Sequence, residues 1–222
     1  MSSECLPFSA ISHTTPLFSD FLYDFPKVHQ FFPRPPNLTS WAVEEANKVA
    51  YNETHRQTVA AILDRQNRAW NASSATLENI VRLRAGAFAM VTGQQVGLFG
   101  GPLFSIFKAL SAVTMAAEVR QLGIDCVPVF WLATEDHDLA EVNHVGLLAS
   151  DGALRQITAS SHAVENAPMS QVVFGPEITA AVNEAVSVLG ESEIADCLRE
   201  FYRPGETLGS AFARLFATLF AK

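Results

Sequence analysis

The 222-residue sequence is poor in the features that mark secreted, membrane-spanning or nucleic-acid-binding proteins. Its three cysteines, Cys5, Cys126 and Cys197, are far apart, so they suggest neither a disulfide framework nor a paired zinc motif. A formal charge of −8 gives no electrostatic reason to bind nucleic acid. No apolar run approaches the roughly 18 residues of a membrane span, and no signal peptide is evident at the N-terminus. A cytoplasmic protein with no membrane or nucleic-acid partner is therefore expected.

The sequence does contain the material for a large core. Hydrophobic residues make up 49% of the chain and include 16 phenylalanines, whereas charged residues make up only 17%. This composition is typical of folded globular proteins and argues against disorder. The length suits one large domain, or a small domain and part of a second.

The N-terminal stretch, residues 1–37, is rich in proline and phenylalanine. Because proline interrupts long helices, short helical turns are expected near 16–24 and 26–32. Ser40 has the side chain of a helix N-cap and predicts a helix over about 41–50.

Two longer amphipathic helices are expected next, one from Glu53 to Trp70 and one after Ser74. Their predicted buried positions are Val59, Ile62, Leu63 and Trp70 in the first helix and Leu77, Ile80, Val81 and Leu83 in the second. Residues 1–85 are thus predicted to form a helical N-terminal segment that packs on the core. This segment contains no recognisable chemical motif.

Residues 86–145 carry the most distinctive pattern in the chain. The apolar run 87–92, ended by Gly93, predicts a strand buried on both faces, and residues 126–133 predict a second one. The intervening helix has a predicted buried stripe at Leu103, Ile106, Phe107, Leu110, Val113 and Ala117. Strands joined by such a crossover should be parallel. The stretch is therefore predicted to be the first βαβ unit of a Rossmann-like parallel sheet.

The rest of the chain gives weaker signals. The connecting insertion 146–205 has predicted elements as follows: a hairpin turn at Ser150-Asp151-Gly152, a short strand at 171–174, and helices near 177–189 and 192–201. Residues 206–222 have the pattern of a crossover helix, and no strand follows it. The simplest interpretation is a doubly wound α/β domain that is cut in the middle of its sheet.

The first candidate site is the glycine-rich turn after the first strand. Its candidate ligand contacts are Thr92, Gly93, Gln94, Gln95, Gly100, Gly101 and Pro102. In open α/β sheets, ligands bind at the carboxyl ends of the strands, where a helix N-terminus favours an anion. The pattern is neither G-x-G-x-x-G nor a P-loop, so nucleotide binding and a merely tight structural turn both stay open. Pro102 suits the first helical position.

Lys108 lies one or two turns into the following helix. Its ammonium group could reach back toward a ligand at the turn. Alternatively, it could extend into solvent from a mostly apolar helix. The sequence leaves both interpretations open.

The second candidate site is the cluster Glu135-Asp136-His137-Asp138, followed by Asn143 and His144. Charge directly after a buried strand is unfavourable unless it is solvated, paired or functional. His137 suits general acid–base catalysis because the pKa of histidine lies near neutrality. Magnesium or zinc could bind the cluster, but its spacing matches no established motif, so no metal ligand is assigned. Alternatively, Asp136 or Asp138 could cap a short helix over 139–144.

Both candidate sites also resemble sequence signatures of a known family, the bacillithiol cysteine ligases (BshC). The first resemblance covers Thr92–Leu103 with Lys108, and the second covers Pro128–Asp138 and Glu141–His144. Further similar segments are Leu17–Phe31, Tyr202–Thr207 and Ala211–Leu215. The resemblance therefore extends over most of the chain.

The resemblance implies an acid–amine ligase that adds cysteine to glucosaminyl malate, the last step of bacillithiol synthesis. It also implies a core similar to the nucleotide-binding domains of class I aminoacyl-tRNA synthetases and nucleotidyltransferases. By that analogy, residues 100–102 meet nucleotide phosphates, and Gln94, Gln95 and residues 135–138 face the same cleft. Amide formation normally needs an activated carboxylate, so ATP or another nucleotide is the implied cofactor. Magnesium is compatible with such a cofactor.

On this basis, His137 and Asp136 are the predicted catalytic residues. The predicted substrate or nucleotide contacts are Thr92, Gly93, Gln94, Gln95, Gly100, Gly101, Pro102, Lys108, Glu135, Asp138, Asn143 and His144. The predicted partners are the small molecules cysteine and glucosaminyl malate, and a homo-oligomer is compatible with the resemblance. Family members continue into the other half of the sheet and a coiled coil, so this chain is expected to be an N-terminal portion.

Two other functions stay open. A nucleotidyltransferase or metal-assisted hydrolase of the same superfamily would use His137 with a metal at the cluster. A non-catalytic truncated protein would act only through association with another chain.

Overall fold

The structure is a computed structural model that describes residues 5–160 and 167–221. Residues 161–166, which belong to the predicted insertion, lie outside the described residues. The chain divides into two compact units, Met1–Ala50 and Tyr51–Lys222. The two long helices that the sequence groups with the N-terminal segment therefore belong to the unit that contains the sheets.

The first unit is built from short helical segments, as its prolines predict. They are helices α1 (Pro16–Tyr23) and α2 (Ala42–Ala46) and single 3₁₀ turns at Phe8–Ala10, Phe25–Lys27 and Leu38–Ser40. Thr15 caps α1, its hydroxyl oxygen accepting the N–H of Phe18 at 3.3 Å. The predicted cap at Ser40 is wrong, because its hydroxyl donates to the carbonyl oxygen of Asn37 at 2.7 Å. Trp41 occupies the cap position of α2, without a side-chain hydrogen bond.

Two long helices open the second unit where the sequence predicts them. They are α3 (Glu53–Ala69) and α4 (Ser74–Ala85). The side chains of Asn52 and Ser73 cap their first turns. The predicted buried positions are only partly correct, because Ile80 is buried whereas Val59 and Val81 are exposed. The two helices pack mainly on each other, so only part of the apolar face of each helix is buried.

A parallel pair of strands organises the second unit. Its elements are β1 (Phe88–Gln95), the crossover helix α5 (Leu103–Gln121) and β2 (Cys126–Ala133). The predicted parallel pairing is confirmed, with Gly93 opposite Trp131. The predicted end of β1 at Gly93 is wrong, because the strand continues to Gln95. A Cβ at Gly93 would lie 2.8 Å from the Trp131 Cβ and carbonyl oxygen, so this glycine permits close strand approach rather than a turn.

The burial of this βαβ unit differs from the prediction. Val91 and Trp131 are 60% and 58% exposed, so the strands are not buried on both faces. The buried residues of α5 are Ser105, Ala109, Ala112, Ala116 and Val119. The predicted stripe is largely exposed instead, at 67% for Leu103 and 54% for Phe107. Small side chains let the helix pack closely on the strands, and a pattern of hydrophobicity does not show this.

After β2 the chain forms a short helix, a hairpin and three further helices. Their bounds are α6 (Leu139–Val142), β3 (His144–Leu148), β4 (Leu154–Thr158), α7 (Ile178–Leu189), α8 (Glu193–Phe201) and α9 (Leu208–Leu219). The predicted antiparallel hairpin and the last three helices are confirmed. The strand predicted at 171–174 is reduced to one bridge between Val173 and Thr207, because Met169–Gln171 form a 3₁₀ turn.

The core of the second unit lies between β2, the hairpin and helices α7, α8 and α9. Helix α9 contributes to this core, since Phe212 and Phe216 are buried and pack on Phe130 of β2. Leu98, from the turn after β1, is also fully buried, and α9 contacts this turn. The core therefore holds the first candidate site in place. None of the helices in the described ranges is long and apolar enough to cross a membrane.

Candidate functional site

The carboxyl end of β1 and the N-terminal end of α5 border a cavity of about 380 Å³. The cavity is lined by Gln94, Gln95, Gly97, Gly101, Pro102, Glu141, Val142 and His144. Ligands of open α/β sheets bind at this end of the strands. A second cavity of similar volume, which borders β2 and α9, is lined mostly by apolar side chains such as Ile80 and Phe216. The first cavity is therefore the one that offers polar chemistry.

The turn between β1 and α5 is tightly folded on itself. Leu98–Gly100 form a 3₁₀ turn in which Phe99 has a left-handed backbone with a φ of 52°. A Cβ at Gly97 would lie 2.9 Å from the Cα of Gly101, so the two glycine backbones are in contact. Pro102 is the N-cap of α5 rather than its first residue, which corrects the prediction by one position. Much of this turn is thus used for its own packing.

The N-terminal end of α5 offers a place for negative charge. The first N–H groups of a helix have no partner inside the helix and favour an anion. Ser105, in the first turn, is fully buried, and its hydroxyl has no hydrogen-bond partner among the described residues. Gly101 and Pro102, which precede the helix, line the cavity, whereas Ser105 does not, so the helix end rather than the Ser105 hydroxyl is what a phosphate or carboxylate oxygen would meet.

Lys108 reaches back from α5 to the end of β1. Its ammonium group donates to the Gly93 carbonyl oxygen at 3.0 Å and to Gln94 Oε1 at 2.9 Å. The ammonium also lies 5.6 Å from the centre of the Phe104 ring. Lys108 is half-buried and does not line the cavity. Its charge is therefore directed at the strand end rather than into open solvent.

Gln95 joins two carboxylates at the end of β1. Its amide nitrogen donates to Asp136 Oδ2 at 2.5 Å and to Glu141 Oε2 at 3.1 Å. Asp136 also accepts the backbone N–H of His137 at 2.7 Å and that of Asp138 at 3.3 Å. The Gln95 hydrogen bond, followed by these backbone N–H groups, lowers the pKa of Asp136. Asp136 therefore stays ionised at neutral pH.

Residues 135–138, which follow β2, do not act as one cluster. Asp138 caps α6, its Oδ1 accepting the Glu141 N–H at 3.3 Å, so the structural alternative is confirmed for this residue. Glu135 and His137 are exposed, and the His137 ring has no hydrogen-bond partner in the described part of the chain. The described ranges contain no group of three or more His, Cys, Asp or Glu side chains that could hold a metal ion.

His144 begins β3 and forms one wall of the cavity. Its Nδ1 lies 3.1 Å from the Ala140 carbonyl oxygen and 3.4 Å from Asn143 Oδ1. Both partners accept hydrogen bonds, so Nδ1 carries the proton in the neutral ring. The lone pair is then on Nε2, which is the arrangement of a base.

The structure brings together part of the predicted site. The predicted contacts that line the cavity are Gln94, Gln95, Gly101, Pro102 and His144. Those that do not are Thr92, Gly93, Gly100, Lys108, Glu135, Asp136, His137, Asp138 and Asn143. Glu141 lines the cavity but was not predicted. Glu141 lies three residues after the cap Asp138, which is the spacing of a capping box. This spacing could have placed Glu141 in the first turn of α6, but it could not have shown that Glu141 pairs with Gln95.

The sequence matches the family model of the bacillithiol biosynthesis protein BshC, N-terminal Rossmann-like domain, over residues 1–222. A relative from Koribacter versatilis is 45% identical over 225 residues, and one from Solibacter usitatus is 37% identical over 227 residues. Both alignments cover 100% of this chain. A relative from Chlorobaculum tepidum is 38% identical over 180 residues, which cover 78% of this chain. All three are provisionally named cysteine ligase BshC.

This chain is much shorter than the relatives that it matches. It spans 42% of the Koribacter versatilis protein and 41% of the Solibacter usitatus protein. The parallel β1–α5–β2 unit, with both signature loops at its strand ends, agrees with a Rossmann-like domain. The chain belongs to the BshC family of bacillithiol biosynthesis and corresponds to its N-terminal Rossmann-like domain.

Proposed function

We propose that this chain contributes the reaction site of a C–N ligase that joins the carboxyl group of cysteine to the amine of glucosaminyl malate. The observation that carries the proposal is the cavity at the end of β1. It combines two amides, a carboxylate and a histidine base, from Gln94, Gln95, Glu141 and His144. These groups suit an amine and an acyl group better than an apolar ligand.

Amide formation sets three requirements for such a site. The amine must lose a proton, so that its lone pair can form the C–N bond. The leaving group of the activated acyl carbon departs with its bonding electrons, and the acyl oxygen must be stabilised while it carries charge. His144 Nε2 can accept the proton, and Glu141, which lines the cavity, can attract the substrate while it is still an ammonium ion.

A bound nucleotide, ATP or another, would supply the phosphoryl or adenylyl group that activates the carboxylate. The N-terminal end of α5, which borders the cavity at Gly101 and Pro102, would favour one anionic oxygen there. The described residues lining the cavity include no lysine or arginine, and Glu141 is negative. Neutralising a polyphosphate would therefore require magnesium or residues from outside this domain.

Two histidines compete for the role of base. The sequence predicts His137 together with Asp136, whereas the position of His144 in the cavity wall favours His144. His137 is exposed beside Asp136, whose carboxylate is already held by Gln95. We propose His144 as the base and keep His137 as the alternative.

The test measures product formation by mass spectrometry with L-cysteine, glucosaminyl malate and ATP. It uses the 222-residue chain and its fusion to the C-terminal portion of the Koribacter versatilis relative. We expect product only when all three compounds are present. His144→Ala should lower kcat by about 10²–10⁴-fold with little change in melting temperature. His137→Ala is measured in parallel, because His137 is the alternative base.

The outcomes separate the alternatives. Loss of activity in His137→Ala but not in His144→Ala would assign the proton transfer to His137. No amide product from a folded fusion protein would contradict the ligase proposal. A homo-oligomer and a cytoplasmic location stay predictions from the sequence.

A further inference from the structure

The two glutamines at the end of β1 have side-chain amides that are turned in opposite senses. An amide group presents an oxygen that accepts and a nitrogen that donates, and its partners decide which way each points. The Lys108 ammonium can only donate, so Gln94 Oε1 faces Lys108 at 2.9 Å. Carboxylates can only accept, so the Gln95 nitrogen faces Asp136 and Glu141. Charged neighbours therefore fix both orientations.

The opposite atom of each amide remains available. Neither Gln94 Nε2 nor Gln95 Oε1 has a hydrogen-bond partner in the part of the chain that the structure describes, and both residues line the cavity. Neighbouring residues of a strand normally point to opposite faces. Because these are the last two residues of β1, both side chains nevertheless border the cavity at the strand end. Two adjacent residues that line the cavity thus have one amide donor and one amide acceptor that are unpartnered within the described ranges.

We propose that this pair holds the two reacting groups of amide formation. Gln94 Nε2 donates to the acyl oxygen, and Gln95 Oε1 accepts a hydrogen from the attacking amine. The inference rests on the ligase function proposed above, since an acyl oxygen and an amine hydrogen are the acceptor and donor that meet in that reaction. The same two contacts also fit the C=O and N–H groups of the amide product.

Lys108 has a distinct role in this arrangement, that of a positioning residue. Its ammonium is anchored at two points, the Gly93 carbonyl oxygen and Gln94 Oε1, and it does not line the cavity. Lys108 acts on the reaction by turning the Gln94 nitrogen toward the substrate. Without the ammonium, the Gln94 amide could turn over and present its oxygen to the acyl oxygen, which would repel it.

The first experiment measures the amides directly by NMR of the 222-residue chain. The probe is N-(L-cysteinyl)-D-glucosamine, which contains the amide of the expected product. In the wild type, we expect the side-chain NH₂ signals of Gln94 and Gln95 to shift on addition of the probe. Lys108→Met should broaden or move the Gln94 signal before any probe is added, and Lys108→Arg should restore it. Lys48→Met, which removes an exposed lysine from the other unit, is the control.

The second experiment measures kinetics in the fusion protein described above. Gln94→Glu keeps a carbonyl-type oxygen for Lys108 but replaces the donor with an acceptor. It should lower kcat by roughly 10²–10³-fold, the effect of losing one donor to a developing oxyanion. This variant does not depend on whether Lys108→Met folds. An unchanged kcat in Gln94→Glu would overturn the inference, as would a Lys108→Met protein with a wild-type Gln94 signal.

The two proposals can fail separately. Probe-induced shifts of both glutamines without any ligation would support the amide-binding pair and contradict the ligase function. Ligation at the wild-type rate in Gln94→Glu would support the ligase function and contradict the pair.

Discussion

At the scale of single residues, the contact between Gly93 and Trp131 sets the spacing of the strands beside the cavity. Gly93 is opposite Trp131 in the parallel register. A Cβ on Gly93 would lie 2.8 Å from the Trp131 Cβ and from its carbonyl oxygen, and neither of these atoms can rotate away. The carbonyl oxygen of Gly93 in turn accepts a hydrogen bond from the Lys108 ammonium group. Lys108 also bonds the side chain of Gln94. The strand spacing at Gly93 therefore affects where Lys108 holds Gln94.

The first prediction concerns this glycine. Gly93→Ala should lower the free energy of unfolding by about 1–3 kcal/mol, because overpacking pushes the strands apart. Urea denaturation measures the change. Gly146→Ala is the matched control, since its Cβ would meet only the side chain of Leu154, which is 73% exposed and free to move. Equal stability of the two variants would contradict close approach at Gly93.

Residues within the site show which part of it the sequence could predict. Five of the contacts that the strand-end rule predicts, Gln94, Gln95, Gly101, Pro102 and His144, line one cavity. The rule could not show which polar atoms are already paired. Some of these pairings join distant residues, 14 positions apart for Lys108 and Gln94 and 46 for Gln95 and Glu141. Only the folded arrangement reveals them.

At the scale of secondary-structure elements, helix α5 has two apolar stripes and buries the one with smaller side chains. Ala109, Ala112 and Ala116 are 5%, 4% and 0% exposed. The larger side chains of Leu103 and Phe107 remain more than half exposed. Alanine on the inner face brings the helix close to β1 and β2, both of which α5 contacts. Side-chain volume rather than hydrophobicity therefore decides the orientation of this helix.

The second prediction tests the orientation of α5. Ala116→Leu should destabilise the protein by about 1–3 kcal/mol, because a fully buried alanine has no space for three more carbons. Phe107→Ser should change stability by less, since its ring is already 54% exposed. Thermal unfolding followed by circular dichroism compares them. A larger loss of stability in Phe107→Ser would instead support the sequence prediction that Phe107 lies on the buried face of α5.

The elements themselves were easier to predict than the surfaces they bury. Helix α4 begins at the cap Ser73, and α5 ends just before Gly123, which has a φ of 83°. Caps and end glycines act within a few residues, so the local sequence contains most of the signal, although Ser40 has a cap side chain and caps no helix in the described ranges. The length of β1 depends instead on how closely β2 approaches at Trp131. That information lies 38 residues away in the register partner of Gly93.

At the scale of the whole molecule, acidic side chains with lowered pKa values occur in both units. Hydrogen bonds from Arg34 and then Lys48 lower the pKa of Glu44 to about 2 and also lower that of Glu45. In the second unit, the Arg68 hydrogen bond lowers the pKa of Asp64, and the Arg199 hydrogen bond lowers that of Glu191. Asp136 belongs to the same class, but its first partner is the neutral amide of Gln95.

The last prediction follows from the sign of these shifts. A carboxyl group whose pKa is lower in the folded state than in the unfolded state binds protons more readily when the chain unfolds. Its stabilisation is complete above the unfolded pKa of about 4, and it is lost as the pH falls through the folded value. The melting temperature should therefore decrease between about pH 5 and pH 2, with Glu44 contributing down to about pH 2.

The effect of salt on this loss of stability at low pH distinguishes carboxylates paired with charged side chains from Asp136, which is paired with a neutral amide. The ion pairs of Glu44, Glu45, Asp64 and Glu191 are solvent-exposed, so added sodium chloride should screen them and flatten the pH dependence. The hydrogen bond from the neutral Gln95 to Asp136 should respond less. Carboxyl carbon NMR should then show the Asp136 midpoint still below the usual range at high salt, while Glu44 moves upward. In Gln95→Leu, the Asp136 midpoint should rise, and an unchanged midpoint would show that Gln95 does not hold this carboxylate.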